Sequence, residues 1–273
     1  MNNSIPSLWR NLNYKTSIKY LVNTYIREYV LSKANINALL YTNRISKEEY
    51  DKFLSMDKKD REVSIGLMIK NDRSIYSDIQ KGIIEAKRKL FLSNSIEDFE
   101  VVSIKNDAVF THGRKLQFTE FPPFNFVIKN EYTIYLQLQE LEVYYRDTID
   151  PYTGEILTNL DVKGIGDNNL LLHQNGILDL ICEVCYRLQR EKIEDTMSWI
   201  SNIYEKFIKK ELPKDYYRCF DTFSMYKVHT FTRVATLSDV DDSMVPYLDI
   251  NRNLLILRNL ISIVSDIYRL KVK

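Results

Sequence analysis

The chain has 273 residues, 45% hydrophobic and 27% charged, which is enough for a sizeable core in one or two domains of an ordinary folded protein. Three cysteines fit reduced, unpaired thiols, and the formal net charge is +1. No apolar run reaches the ~20 residues that span a bilayer, and Met1–Arg10 has no hydrophobic leader segment, so a cytoplasmic protein is expected.

The charge is uneven. Residues 1–95 hold 17 Lys and Arg against 10 Asp and Glu, and the rest hold 21 against 27. The first third therefore has the sign needed to meet phosphates. Only seven glycines and six prolines punctuate the sequence, which favours long regular elements.

In chain order, Tyr25–Leu31 alternates in a strand-like way, and Ser32 is placed to cap a helix over Lys33–Tyr41. Ser46–Phe53 and Asp60–Lys70 read as short charged helices, and Asn71–Ser74 as a break. Ser77–Leu92 is a longer helix with Ile79, Ile83, Ala86 and Leu90 on one face. Phe99–Phe110 then reads as strand, tight turn and strand, with Asp107 at the bend. Further strands are expected at Lys115–Phe118, Asn125–Lys129, Thr133–Leu138 and Glu142–Tyr145. Phe121–Phe124 is a kinked Pro-Pro connector and Asp147–Asp161 a surface loop.

Beyond Asn169 the pattern is helical: Leu171–Leu188, Lys192–Lys210 and Leu254–Leu270, with Leu237–Asp249 an acidic loop. The expected fold class is α+β, an antiparallel sheet with packing helices followed by a mainly helical C-terminal region. The expected domains are 1–150 and 165–273.

Several chemistry-bearing patterns have plain structural explanations. Cys182 and Cys185 stand at helical spacing inside an apolar run with no second pair, so they read as core thiols. His112, His173 and His229 lie apart from any ligand pattern, and Gly164-Ile-Gly166 is too short for a phosphate loop. Paired tyrosines such as Tyr132 and Tyr135, Tyr144 and Tyr145, and Tyr216 and Tyr217 have the faces to stack on bases, but most of 19 tyrosines must serve packing.

Asp107 is the candidate metal ligand. Asn106-Asp107 is also ordinary turn chemistry, because both side chains tolerate tight bends. Residues 25–110 nevertheless resemble the palm of the family A and family B DNA polymerases. There one strand ends in an Asp, a serine-containing turn and a helix follow, and a second Asp sits on a later hairpin. The matching residues are Ile26-Arg-Glu-Tyr-Val-Leu-Ser-Lys-Ala-Asn-Ile-Asn37, with Val30 where the first Asp would stand, and Asp107 for the second. Along most of its length the chain is also similar to uncharacterised proteins of tailed phages that infect Gram-positive bacteria.

The palm resemblance implies template-directed nucleotidyl transfer, or a degenerate form of it, with nucleic acid (DNA) and nucleoside triphosphates as partners and Mg2+ as cofactor. In such a site two metal ions ~4 Å apart, held by two carboxylates, stabilise the attacking and leaving oxygens. Val30 cannot serve as one of these carboxylates. Glu28, two residues earlier on the same strand face, is the candidate substitute, about 6–7 Å away along the strand. Ser32, Lys33, Asn35, Arg61, Lys70 and Arg73 are the candidate nucleotide contacts, with Lys81, Lys87 and Arg88 as alternates. The competing expectation is a non-enzymatic scaffold binding nucleic acid or protein, including phage or host replication proteins.

Overall fold

The computed structural model describes residues 7–163, 175–213, 216–217 and 247–272. Expectations for His173, His229, Cys219, Gly164–Gly166 and most of Leu237–Asp249 fall outside them. The chain divides into two compact units, Met1–Ser17 with Tyr25–Glu131, and Ile18–Thr24 with Tyr132–Lys273. The architecture is α+β, with antiparallel strand pairing, flanking helices and a helical C-terminal region.

The strands are β1 (Asn13–Lys15), β2 (Tyr20–Leu31), β3 (Val101–Lys105), β4 (Ala108–His112), β5 (Glu120–Phe121), β6 (Phe124–Leu138), β7 (Leu141–Ile149) and β8 (Ile156–Lys163). The helices are α1 (Ala34–Tyr41), α2 (Lys47–Ser55), α3 (Lys58–Asn71), α4 (Ser74–Asn94), α5 (Asn175–Arg190), α6 (Ile193–Ile208) and α7 (Tyr247–Val272).

In the first unit the strands follow the order β1-β3-β4-β2-β6, with β5 on β6. The buried residues of α4 recur at 75, 79, 83, 86 and 90, a helical stripe that packs with Tyr29, Leu31, Ile104, Val109 and Phe126 of the sheet in one core. Each fully buried Ile or Leu in that stripe contributes about 1.5–3 kcal/mol of transfer free energy. Helices α1 and α4 meet at a glycine. A Cβ at Gly82 would stand 2.5 Å from the Cβ of Ala38, so only hydrogen fits. In the second unit β7 pairs with both β6 and β8, and Ile134, Leu136, Val143 and Tyr145 share a core with Ile181, Val184 and Cys185 of α5, Ile200 of α6 and Leu257, Leu260 and Val264 of α7.

Five elements differ from the sequence expectation. Lys115–Phe118 is not a strand. Side chains satisfy its backbone N–H groups: the Tyr29 hydroxyl accepts from Leu116 (2.9 Å), and Asn94 Oδ1 accepts from Gln117 (2.9 Å) and Phe118 (3.0 Å). The loop expected at 147–161 is largely hairpin, since β7 and β8 stay paired out to Ile149 and Ile156. Segments 125–129 and 133–138 are one strand, β6, and the Tyr25 strand begins five residues earlier at Tyr20. Polar residues inside both strands hid their continuity. Finally, Ser32 does not cap α1. Lys33 takes that position in a left-handed conformation (φ 50°), with no side-chain cap.

Gly66 and Gly82, both inside helices, make opposite predictions. Gly82→Ala should lower stability by about 1–2 kcal/mol, because crowding against Ala38 outweighs a helix-propensity gain of roughly 1 kcal/mol. Gly66→Ala, where nothing lies within 4 Å, should raise it by about 0.5–1 kcal/mol. Urea midpoints for the two variants check both signs.

Candidate functional site

The site starts from strand register. β2 and β4 pair antiparallel with Val30 opposite Ala108, and the Leu31 N–H donates to the Asp107 carbonyl (2.9 Å). β3 and β4 pair through Lys105 and Ala108, leaving Asn106 and Asp107 as the turn. Asn106 takes a left-handed φ of 53°, which asparagine tolerates, and its N–H donates to the Leu12 carbonyl (2.6 Å). The end of β2 and the tip of the hairpin are therefore neighbours.

After Leu31 the chain turns into α1. The Ser32 N–H donates to the Asn125 carbonyl (2.8 Å), and Asn37 Nδ2 donates to the Ser32 carbonyl (2.7 Å). The Tyr50 hydroxyl of α2 donates to Asn37 Oδ1 (2.8 Å). One buried amide thus holds the turn and ties α2 to it.

These elements enclose a cavity of about 380 Å³. It is lined by Val30, Ser32, Lys33, Asn35 and Asp107 from the strand ends and the start of α1, and by Lys58, Arg61, Glu62 and Ile65 from α3. Six residues nominated from sequence (Val30, Ser32, Lys33, Asn35, Arg61 and Asp107) share it. Lys58 and Glu62 were missed, although Lys58 stands three positions before Arg61 and Glu62 four after Lys58, both helical-neighbour spacings. Lys70 and Arg73 are exposed and do not line it. Lys81 pairs with Asp78 (2.8 Å), and Arg88 with Glu85 (2.7 Å).

Glu28 does not line the cavity either. It is buried at 3% exposure, and its Oε2 accepts from Asn130 Nδ2 (2.6 Å). The donor set therefore does not fit the paired magnesium ions that the palm resemblance implies. A valine holds one carboxylate position, and the substitute acid is engaged elsewhere. Among the described residues, no three or more His, Cys, Asp or Glu side chains gather into a metal-binding group.

Asp107 is partly buried. Desolvation raises its carboxyl above the usual carboxylate value, opposed by its own backbone N–H and by the positive charges of Lys129 and Lys87. Lys87, on α4, is completely buried, and its Nζ donates to the Asn11 carbonyl. Burial pulls its ammonium down to about 8, partly offset by Asp107. The cavity rim carries the cations Lys33, Lys58 and Arg61, with Lys58 3.8 Å from Glu62.

Other candidates resolve structurally. His112 Nε2 bonds the Phe99 carbonyl (2.7 Å). Tyr132, Tyr135, Tyr144 and Tyr145 are fully buried, so none presents a face for stacking. Cys182 and Cys185 are free thiols on α5, both raised chiefly by burial. Among the described residues, no helix is long and apolar enough to cross a membrane.

Lys87 makes a pH prediction. Its folded value near 8 lies below its unfolded value of 10.5, so between them the unfolded chain binds more protons. Stability should therefore rise with pH across that window, by up to about 3 kcal/mol, relative to a Lys87→Met variant that lacks the group. Denaturant unfolding of both proteins from pH 7 to 10 checks the difference.

No curated protein matches the sequence. One family model does, over residues 4–266, a span that includes both units and every cavity residue. The chain thus belongs to the family of the bacteriophage PBS1 gene 130 protein.

Proposed function

We propose that this phage protein is a degenerate DNA-polymerase-like palm: its cavity receives the polyphosphate of a nucleoside triphosphate, and template-directed transfer has lapsed with the second carboxylate. The observation that carries this reading is the β2–β4 register. It sets Val30 beside the Asp107 turn at the mouth of a cavity whose rim carries Lys33, Lys58 and Arg61. A palm uses such a strand pair to place two acids together, and cations nearby to neutralise phosphates.

Support also comes from the order of elements. A strand ending at Leu31, a turn and a helix precede two finger-like helices, a long packing helix and the hairpin with Asp107. The basic first third of the chain suits phosphate contact, and nucleic acid, with phage or host replication proteins, forms the proposed set of larger partners. Val30 and the engaged Glu28 favour the lapsed form over an active polymerase.

The test combines nucleotide binding with primer extension. Wild type should bind a fluorescent nucleoside triphosphate saturably and extend no primer. Val30→Asp, which restores a carboxylate pair, should gain measurable Mn2+ affinity. Extension by wild type that disappears in Asp107→Ala would show an active enzyme instead. Failure of any nucleotide to bind would remove the palm reading.

A further inference from the structure

The mismatch between the cavity and a two-metal centre has a positive side, which rests on the reading above. We propose that the cavity takes a polyphosphate without a divalent cation, the side-chain cations of Lys33, Lys58 and Arg61 meeting the phosphates in place of a metal ion.

A metal ion at paired acids has two roles. It neutralises carboxylates that would otherwise repel the phosphates, and bridges both groups. Here the strand pair contributes one carboxylate, because the other position is Val30. Burial raises its carboxyl, so it holds its charge less firmly than an exposed aspartate, and the positive charges of Lys129 and Lys87 offset only part of that rise. Lys87 is held in place by backbone: its Nζ donates to the Asn11 carbonyl, and the next carbonyl, that of Leu12, accepts from Asn106 in the Asp107 turn. The lysine and the turn thus clamp the same two-residue segment.

The rest of the lining completes the charge balance. Lys33, Lys58 and Arg61 line the cavity together with Glu62 and Asp107, and Lys58 stands 3.8 Å from Glu62. Lys33 makes no salt bridge or side-chain hydrogen bond among the described residues, and Arg61 makes a long contact (3.4 Å) to the Met56 carbonyl and a weak charge interaction with Asp57. Both can turn to a ligand without breaking a strong pair. Charge-assisted bonds from such groups to phosphate oxygens are the strong kind. A magnesium ion, by contrast, needs six oxygens in near-ideal octahedral geometry at 2.0–2.1 Å, and the protein offers few of them here. The volume, about 380 Å³, suits a polyphosphate chain with part of a nucleoside.

Isothermal titration of the full chain with ATP and with inorganic tripolyphosphate, each in EDTA and in excess Mg2+, tests this. Affinity in EDTA should equal or exceed that in Mg2+, which screens the phosphates. Asp107→Asn should bind as tightly as wild type or tighter, since it removes an anion. Lys33→Ala combined with Arg61→Ala, both on the solvent-facing rim, should weaken binding about tenfold or more in both buffers, with an unchanged melting temperature.

Binding that requires Mg2+, or is lost in Asp107→Asn, overturns the metal-free site but leaves the palm-type cavity standing. Binding unaffected by the double variant overturns the assignment to this cavity. Absence of binding in both buffers removes both readings.

Discussion

The candidate site depends on one pairing, the antiparallel contact between the end of β2 and the start of β4. The Leu31 N–H to Asp107 carbonyl bond is its last rung. Below it, Tyr29 and Val109 are fully buried and fix the register from the core side. A slip of one residue would turn Tyr29 out of the core and Val30 into it, so apolar burial sets which residues meet at the strand ends. The cavity is a by-product of that register. The strands stop where the chain must turn into α1, and the hairpin stops where Asn106 and Asp107 must bend.

Much of this was legible in the sequence. The hairpin with Asp107, the helix from 74 to 94 and the break before it all carry short-range signals: alternation, helical spacing and turn residues. The adjacency of residues 30 and 107 was not legible from spacing, because it is a contact across some 80 positions. It came from resemblance to an arrangement of elements. Lys58 and Glu62 were legible but overlooked, standing one helical turn or less from Arg61. The role of Lys87 was not legible, because a lysine on an amphipathic helix ordinarily faces water. Only the packing of Asn11 against α4 turns it inward.

Two of the missed features share one cause. In Lys115–Phe118 the backbone donors are answered by Asn94 and Tyr29, residues 23 and 87 positions away. A strand-like composition was correctly seen there, but side chains replaced a ladder partner. At Ser32 the same substitution occurs in reverse. A good capping residue spends its backbone on Asn125 and Asn37, and Lys33 takes the left-handed position at a cost of roughly 1–2 kcal/mol. Propensity describes what a residue does when only its neighbours in sequence compete for its polar groups. Both failures occur where distant groups win that competition.

Asn37 has a mechanical consequence. Its amide grips the Ser32 carbonyl with one end and the Tyr50 hydroxyl with the other, so one side chain joins α2 to the strand-end turn, in addition to the packing of Tyr50, Phe53 and Leu54 on the core. The hydroxyl contributes about 1 kcal/mol to that fastening, and the apolar packing of α2 adds to it. The strand-end turn beside the cavity is thus braced from a helix that does not itself touch the cavity, through one shared amide.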